Sequence, residues 1–313
     1  MSLNSAPTTD LDPTLGPHCA GQPVPSDCFA RLHEVDDWTS CAEELPALLA
    51  RDGYLLLRGA LPVDKVMAAR RDVLTRLAGV GEVAQPIDDA VATGSSRRLA
   101  MHPDLGAFWR GVCESPTLRA ATHGPAMAAL TAAALGSPSL PFDFLWLRTM
   151  LAGRATPLHF DHVYMNRGSS QVITAWVPLG DVPLVAGPLV VVENSQRFDD
   201  LIERYRGVDV DRDALPGSFP QAAVAFARER ETRLLSTDFR AGDVLLFSMF
   251  TLHGSLDNCM SGSRLRLSCD VRWQPATDGR DDRWFGSPPA GHVGTSYGGL
   301  NGARPLGEAY RAR

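Results

Sequence analysis

The chain contains no apolar run approaching the roughly 18–20 residues needed to cross a bilayer. From Met1 to Asp37 it has neither the charged opening nor the hydrophobic stretch of a secretory leader. No membrane partner is therefore expected. It also lacks any CxxC pair: six cysteines (Cys19, Cys28, Cys41, Cys113, Cys259, Cys269) are scattered over 313 residues, a length that needs no disulfide staples. A reduced, cytoplasmic protein is the expectation. Positive charge is not in excess either. Lys and Arg number 30 against 36 Asp and Glu, for a net charge of −6 and a pI near 5.7, which argues against a broad phosphate-binding surface and a nucleic-acid partner. Internal repeats and low-complexity blocks are missing as well. What remains is an ordinary globular composition, 44% hydrophobic and 21% charged, able to bury a cofactor site in one core.

Residues 1–36, rich in Pro, Ser, Thr, Asp and Gly without periodicity, read as a mobile arm. Ser40 is placed to cap a helix over Cys41–Ala50 that Gly53 breaks. Tyr54–Arg58 reads as a short strand, and Pro62 opens a helix to about Ala78. Helical stretches follow at Pro103–Cys113 and Thr117–Leu135, the second ended by Gly136. Beyond Pro141 the pattern changes to β-like runs bounded by Gly, Pro, Asn and Asp: Phe142–Met150, Leu158–Tyr164, Gln171–Leu179, Pro188–Glu193, Leu234–Phe239, Asp243–Phe247 and Leu265–Trp273. A helical, then polar insert near 195–233 interrupts them. Helices first and short antiparallel strands after predict one α+β domain over 37–274, built on a β-sandwich or barrel. The Gly/Pro/Arg-rich tail, 275–313, is expected to wrap the surface or cover the site.

The run Leu158-His159-Phe160-Asp161-His162 carries the first chemical signal. Side chains alternate along a strand, so His159 and Asp161 share one face. A histidine and a carboxylate two apart supply two of the three ligands of a facial triad on Fe(II). The spacing alone also suits a solvent-exposed strand edge. The best third ligand is His253, after the turn Ala241-Gly242-Asp243 and the apolar Val244–Phe247, and before Gly254, which lets backbone approach closely. His162 competes with His159 if a bulge exchanges their facing.

Next comes an unbroken alternation. Leu265, Leu267, Cys269, Val271 and Trp273 mark one face; Arg264, Arg266, Ser268, Asp270 and Arg272 mark the other. Alternation alone fits an exposed sheet face of paired charges. It equally fits a polar wall that receives a dicarboxylate, whose far end needs a guanidinium fork.

In order, Asp52-Gly53-Tyr54-Leu55-Leu56-Leu57-Arg58-Gly59, His159-Phe160-Asp161, Thr174-Ala175-Trp176-Val177-Pro178-Leu179-Gly180-Asp181, Gly187-Pro188-Leu189-Val190-Val191, Ala241-Gly242-Asp243-Val244-Leu245-Leu246-Phe247, His253-Gly254-Ser255 and Arg264 resemble the phytanoyl-CoA dioxygenase-like branch of the Fe(II)/2-oxoglutarate oxygenases. The resemblance covers Asp52 to Arg272. It implies a double-stranded β-helix (jelly-roll, cupin-like) core of antiparallel strands with N-terminal helices packed on one sheet. It implies Fe(II) held by His159, Asp161 and His253, with 2-oxoglutarate and O2 as the other reactants. It assigns the distal cosubstrate carboxylate to Arg264, at the family's usual separation of eleven residues after His253. Trp176 falls beside the cosubstrate, with Ser268, Thr174 and Arg148 as further contacts. A carboxylate at Asp161 implies hydroxylation with release of succinate, since related halogenases have a small residue there and leave the position to chloride. Glu193-Asn194-Ser195-Gln196 departs from the family's Pro-Gly-Ser-His, and the insert and tail carry no family pattern, so the small-molecule substrate is open. Arg272, Arg280 and Arg283 hint that it is anionic.

Two other motifs fail on context. Gly79-Val80-Gly81-Glu82-Val83-Ala84 follows a helix rather than the strand a dinucleotide site requires. Gly294-Thr295-Ser296-Tyr297-Gly298 has no histidine after its serine, as a hydrolase elbow requires. The competing classes are a non-catalytic binding protein on the same fold and a β-helix enzyme using another divalent metal. Both are disfavoured by the arginine beside a complete ligand set.

Overall fold

The computed structural model describes residues 16–307. Its strands are β1 (His18–Cys19), β2 (Gln22–Pro23), β3 (Phe29–Arg31), β4 (Glu34–Val35), β5 (Tyr54–Leu57), β6 (Ser139–Met150), β7 (Ile173–Pro178), β8 (Leu189–Val192), β9 (Leu234–Ser236), β10 (Val244–Ser248), β11 (His253–Ser255) and β12 (Arg266–Pro275). The first two form a hairpin. A six-stranded sheet runs β4-β5-β10-β7-β12-β6, and a four-stranded sheet runs β11-β8-β9-β3. Neighbours are antiparallel except β4 with β5 and β3 with β9.

The all-apolar runs become strands because both of their faces are covered. On the six-stranded sheet, Leu55, Leu57, Ala175, Val177, Val244 and Leu246 pack against the helices α1 (Leu45–Asp52), α2 (Val63–Gly79), α4 (Leu105–Cys113), α5 (Pro116–Thr122) and α6 (Pro125–Leu135), with the short α3 (Arg98–Met101) between them in sequence. The alternate residues Tyr54, Leu56, Trp176, Leu245 and Phe247 meet Leu189, Val191 and Leu235 of the other sheet. The outer face of that second sheet, Val190, Val192 and Leu234, is closed by Leu201 and Ile202 of α7 (Asp199–Arg206) and, beyond the short α8 (Val210–Asp213), by Phe226 and Ala227 of α9 (Ala223–Glu229). Each buried Val, Leu, Ile or Phe among them contributes about 1.5–3 kcal/mol. On β12 the apolar set, Leu267, Cys269, Val271 and Trp273, joins the helical layer. Its polar set points inward, and every residue from Arg266 to Pro275 is buried. The alternation therefore marks an interior wall and not an exposed sheet face.

Three expectations are corrected. Residues 16–36 do not form a free arm: β3 and β4 extend both sheets, and the isolated apolar residues Val24, Cys28 and Leu32 are buried. Residues 1–15 of that expectation lie outside the described residues. The helix read over Thr117–Leu135 is two helices, because Pro125 begins a new one and cannot donate into the old one. The first helix starts at Leu45, later than read, with a proline at its N-terminal turn and Ser40 bonded to Asp37 instead of capping it. Among the described residues no helix is long and apolar enough to cross a membrane.

The tail folds back onto the helical layer. Tyr297 stacks on Phe144 with ring centroids 4.4 Å apart. Arg98 donates to the carbonyls of Gly302 (2.6 Å) and Arg304 (2.9 Å) and pairs with Glu82 at 2.5 Å, both side chains fully buried. Removing one partner of a buried pair costs about 3–5 kcal/mol, whereas removing both is far milder. Arg98→Met should therefore lower unfolding stability by about that amount in urea, and Arg98→Met with Glu82→Met should recover much of it.

Candidate active site

The expected strand over Leu158–Tyr164 is only a fragment of one. His159 forms an isolated bridge with His253, exchanging N–H···O bonds of 2.8 and 3.1 Å, and Asp161–Val163 is a 3-10 turn. Residues paired this way in an antiparallel ladder project to the same side. The two imidazoles accordingly stand 4.2 Å apart, centroid to centroid. Gly254 permits this approach: a Cβ there would lie 2.6 Å from the carbonyl oxygen of Thr156. Phe160 is extended, so alternation survives just far enough to bring Asp161 to the side of His159. His162 turns away, bonded to the carbonyl of Arg206 at 2.8 Å and stacked on Phe250.

Both imidazoles use Nδ1 for a backbone carbonyl, of Pro157 for His159 and of Thr251 for His253, each at 2.9 Å. This fixes the tautomer and leaves each Nε2 free to ligate. Those Nε2 atoms lie 3.8 and 3.9 Å from Asp161 Oδ1, and one ligand atom from each of the three residues falls within 4.8 Å of the others. Burial, reinforced by the neighbouring His253, pushes His159 down to about 3, and burial likewise lowers His253. The pair is neutral and ready to bind metal. Burial alone would raise Asp161, but the Arg272 guanidinium foremost holds it well below the usual carboxylate range. Two neutral imidazoles and one ionised carboxylate, all buried, fit a single divalent ion with open positions.

Thr174 was expected at the cosubstrate. It donates instead to Asp161 Oδ2 at 2.5 Å. Arg272, paired with Thr174 across β7 and β12, donates from Nη2 to both oxygens of Asp161 at 3.0 Å. Arg148 reaches Asp270 at 2.5 Å and stands in the wall of the site.

Arg264 is not brought into the site. It is exposed, precedes the first residue of β12, bridges to Val91 and lines a depression with Arg70, Asp88 and Asp181 that Arg266 also borders. It has the parity of Arg266 but stands before the strand begins. Arg266, one alternation further, is buried and its Nη1 donates to Ser268 Oγ at 2.7 Å. Its guanidinium carbon lies 5.9 Å from the Trp176 ring, and both residues line a recess of about 20 Å³ with His159, His253 and Ser255. The signal for Arg266 was its i, i+2 relation to Ser268, which places guanidinium and hydroxyl together.

Next to the ligand set opens a cavity of about 390 Å³, walled by Trp146, Arg148, Tyr164, Met165 and Arg272 among others. Ser218 of the insert and His292 and Gly299–Gly302 of the tail complete it. Asp211 joins the two outer segments, accepting from His292 at 2.9 Å and from Arg283 at 2.5 Å. Neither Tyr164, at the end of the Leu158–Tyr164 run, nor His292, in the unpatterned tail, was singled out from sequence.

Two histidines and a carboxylate beside a buried arginine suit a mononuclear non-haem iron centre of the oxygenase type. The sequence matches the phytanoyl-CoA dioxygenase (PhyH) family over residues 49–265, more than half of the chain. The chain belongs to that family and is an Fe(II)- and 2-oxoglutarate-dependent dioxygenase. The 1-deoxypentalenic acid 11-beta-hydroxylase of Streptomyces exfoliatus is similar, 26% identical over 270 residues, which span 79% of this chain and 88% of the relative. Among solved structures, EctD from S. alaskensis in its apoform shares the fold with a TM-score of 0.52 at 20% identity, covering 82% of this chain and 86% of that one. The epimerase SnoN, in complex with Fe3+, alpha ketoglutarate and nogalamycin RO, does so with a TM-score of 0.50 at 23% identity over 77% and 86% of the two chains.

A ligand that binds only the folded state stabilises it, by about 2.7 kcal/mol at a hundred times its dissociation constant. Ni(II) should raise the melting temperature of the wild-type protein accordingly, and His253→Ala should lose most of that rise in the same thermal scan.

Proposed function

We propose that the chain hydroxylates a C–H bond of a small, anionic molecule, with His159, Asp161 and His253 as the iron ligands and Arg266, not Arg264, as the anchor of 2-oxoglutarate. The observation that carries this reading is the buried polar face of β12. Arg266, Ser268, Asp270 and Arg272 stand in one row between the sheets, beside the three ligand residues. A guanidinium fork with an adjacent hydroxyl suits a carboxylate, and a dry site strengthens the pairing. Trp176 walls the recess on one side, and Arg148 stands between the recess and the larger cavity. Iron, when bound with the keto acid and oxygen, supplies the oxidising power. The protein orients the substrate and excludes water.

The sheet order and the helices on one face support a double-stranded β-helix of jelly-roll type. The 390 Å³ cavity lies in the range of small-molecule sites, and Arg148 and Arg272 in its wall favour an anionic group. The curated relatives named as hydroxylases of 1-deoxypentalenic acid act on such an acid, which supports the same substrate class here. Six unpaired cysteines support a reducing, cytoplasmic setting.

The test is conversion of 2-oxoglutarate to succinate under air, with Fe(II) and a panel of small carboxylic acids. Loss of a buried charged partner costs about 2–5 kcal/mol, so Arg266→Ala should raise the KM for 2-oxoglutarate by roughly thirtyfold or more, while Arg264→Ala stays close to wild type. The opposite order would return the anchor to Arg264. No succinate from an iron-loaded protein with any acid would leave a binding protein.

A further inference from the structure

Of the three ligand residues only Asp161 offers two equivalent donor atoms, and the structure treats them differently. Oδ1 faces the two imidazole nitrogens at 3.8 and 3.9 Å. Oδ2 accepts from Thr174 at 2.5 Å, and Arg272 Nη2 sits 3.0 Å from both oxygens. The two grips are not independent accidents of side-chain reach. Thr174 and Arg272 are direct partners in the β7–β12 register, so both project from neighbouring strands on the inner face of one sheet.

Arg272 is itself held rigidly. It is 2% exposed, its guanidinium carbon lies 4.1 Å from the centre of the Trp146 ring, and Nη1 stands 3.8 Å from Asp270. Its Nε and Nη1 are buried without a hydrogen bond. Orphaned donors are a cost that a residue kept for packing alone would not carry. An octahedral ion bound by three protein atoms has three open positions, two for a keto acid and one for oxygen. A carboxylate free to rotate offers a fourth protein atom and closes one of them.

We propose that Arg272 is a positioning residue which, together with Thr174, holds Oδ2 of Asp161 off the metal, so that the carboxylate binds through one oxygen and the position for oxygen stays open. The inference rests on His159, Asp161 and His253 being the metal ligands. It also sets an unusual pattern of effects. Removing Arg272 removes a cation beside a divalent ion, so metal binding should not weaken even as an open position is lost.

The probe is Mn(II) with the full-length protein, in the absence of oxygen. Dissociation constants come from the free Mn(II) signal. Bound waters are counted from the broadening of the Mn(II) resonance in oxygen-17 water, with and without 2-oxoglutarate. The wild type should hold three waters and keep one when 2-oxoglutarate is added. Arg272→Met should hold one fewer in each state with Mn(II) bound at least as tightly. Thr174→Val, which keeps the side-chain shape and removes the hydroxyl, should move the count in the same direction, and Thr174→Ser should restore it. Equal counts in wild type and all variants would overturn the proposal. Loss of Mn(II) binding in variants that melt like the wild type would overturn it too, because Arg272 would then support the ligand set and not its denticity. Wild-type protein that binds no Mn(II) would instead sink the ligand assignment beneath it.

Discussion

A carboxylate that is 1% exposed cannot remain ionised without partners, and Asp161 is such a group. The arrangement around it follows from that constraint. Arg272 supplies the opposing charge, Thr174 the hydroxyl, and the neutral imidazoles of His159 and His253 the side on which an ion completes the set. Breaking a buried pair of this kind costs about 3–5 kcal/mol. The polar residues of β12 are therefore stabilised by what they surround, and the sandwich tolerates charge in its interior there because Arg272 pairs with Asp161 and Asp270 with Arg148.

The same constraint divides the molecule. Where the two sheets face each other with Leu56, Leu189, Val191, Leu245 and Phe247, the interior is closed and apolar. Where β12 presents arginine, serine and aspartate instead, the sheets do not seal, and the cavity opens. Its remaining walls come from outside the sheets. Ser218 of the insert and residues 292 and 299–302 of the tail close it, and Asp211 ties these two segments together through His292 and Arg283. The ligand residues thus sit on β11 and on the His159–Asp161 segment bridged to it, backed by β7 and β12, and the cavity is closed by loops and short helices, which vary most easily.

Much of this was legible in the sequence. The i, i+2 pair His159 and Asp161 needs only one extended residue between them, and that much strand exists even though the longer run does not. The alternation over 264–273 correctly separated an apolar face from a polar one. Parity, however, states which side a residue faces and not whether anything lies opposite it. Arg264 has the parity of Arg266 but stands before the strand begins, so the arginine eleven residues after His253 is exposed and the next one of that parity is buried. The 16–36 segment was misread for a related reason: Val24, Cys28 and Leu32 are single apolar residues without periodicity, and only the completed sheets create the surface that buries them. Thr174 was placed near the centre, but its hydrogen bond to Asp161 was not foreseen, because cross-strand register cannot be read from one strand.

The most direct measurement is the visible spectrum of the anaerobic wild-type protein on adding Fe(II) and then 2-oxoglutarate. Iron and keto acid bound on one centre produce a charge-transfer band that neither gives alone. The account predicts that band at one iron per chain. A protein that takes up one iron, binds 2-oxoglutarate and shows no band would contradict it, since the two would then occupy different sites.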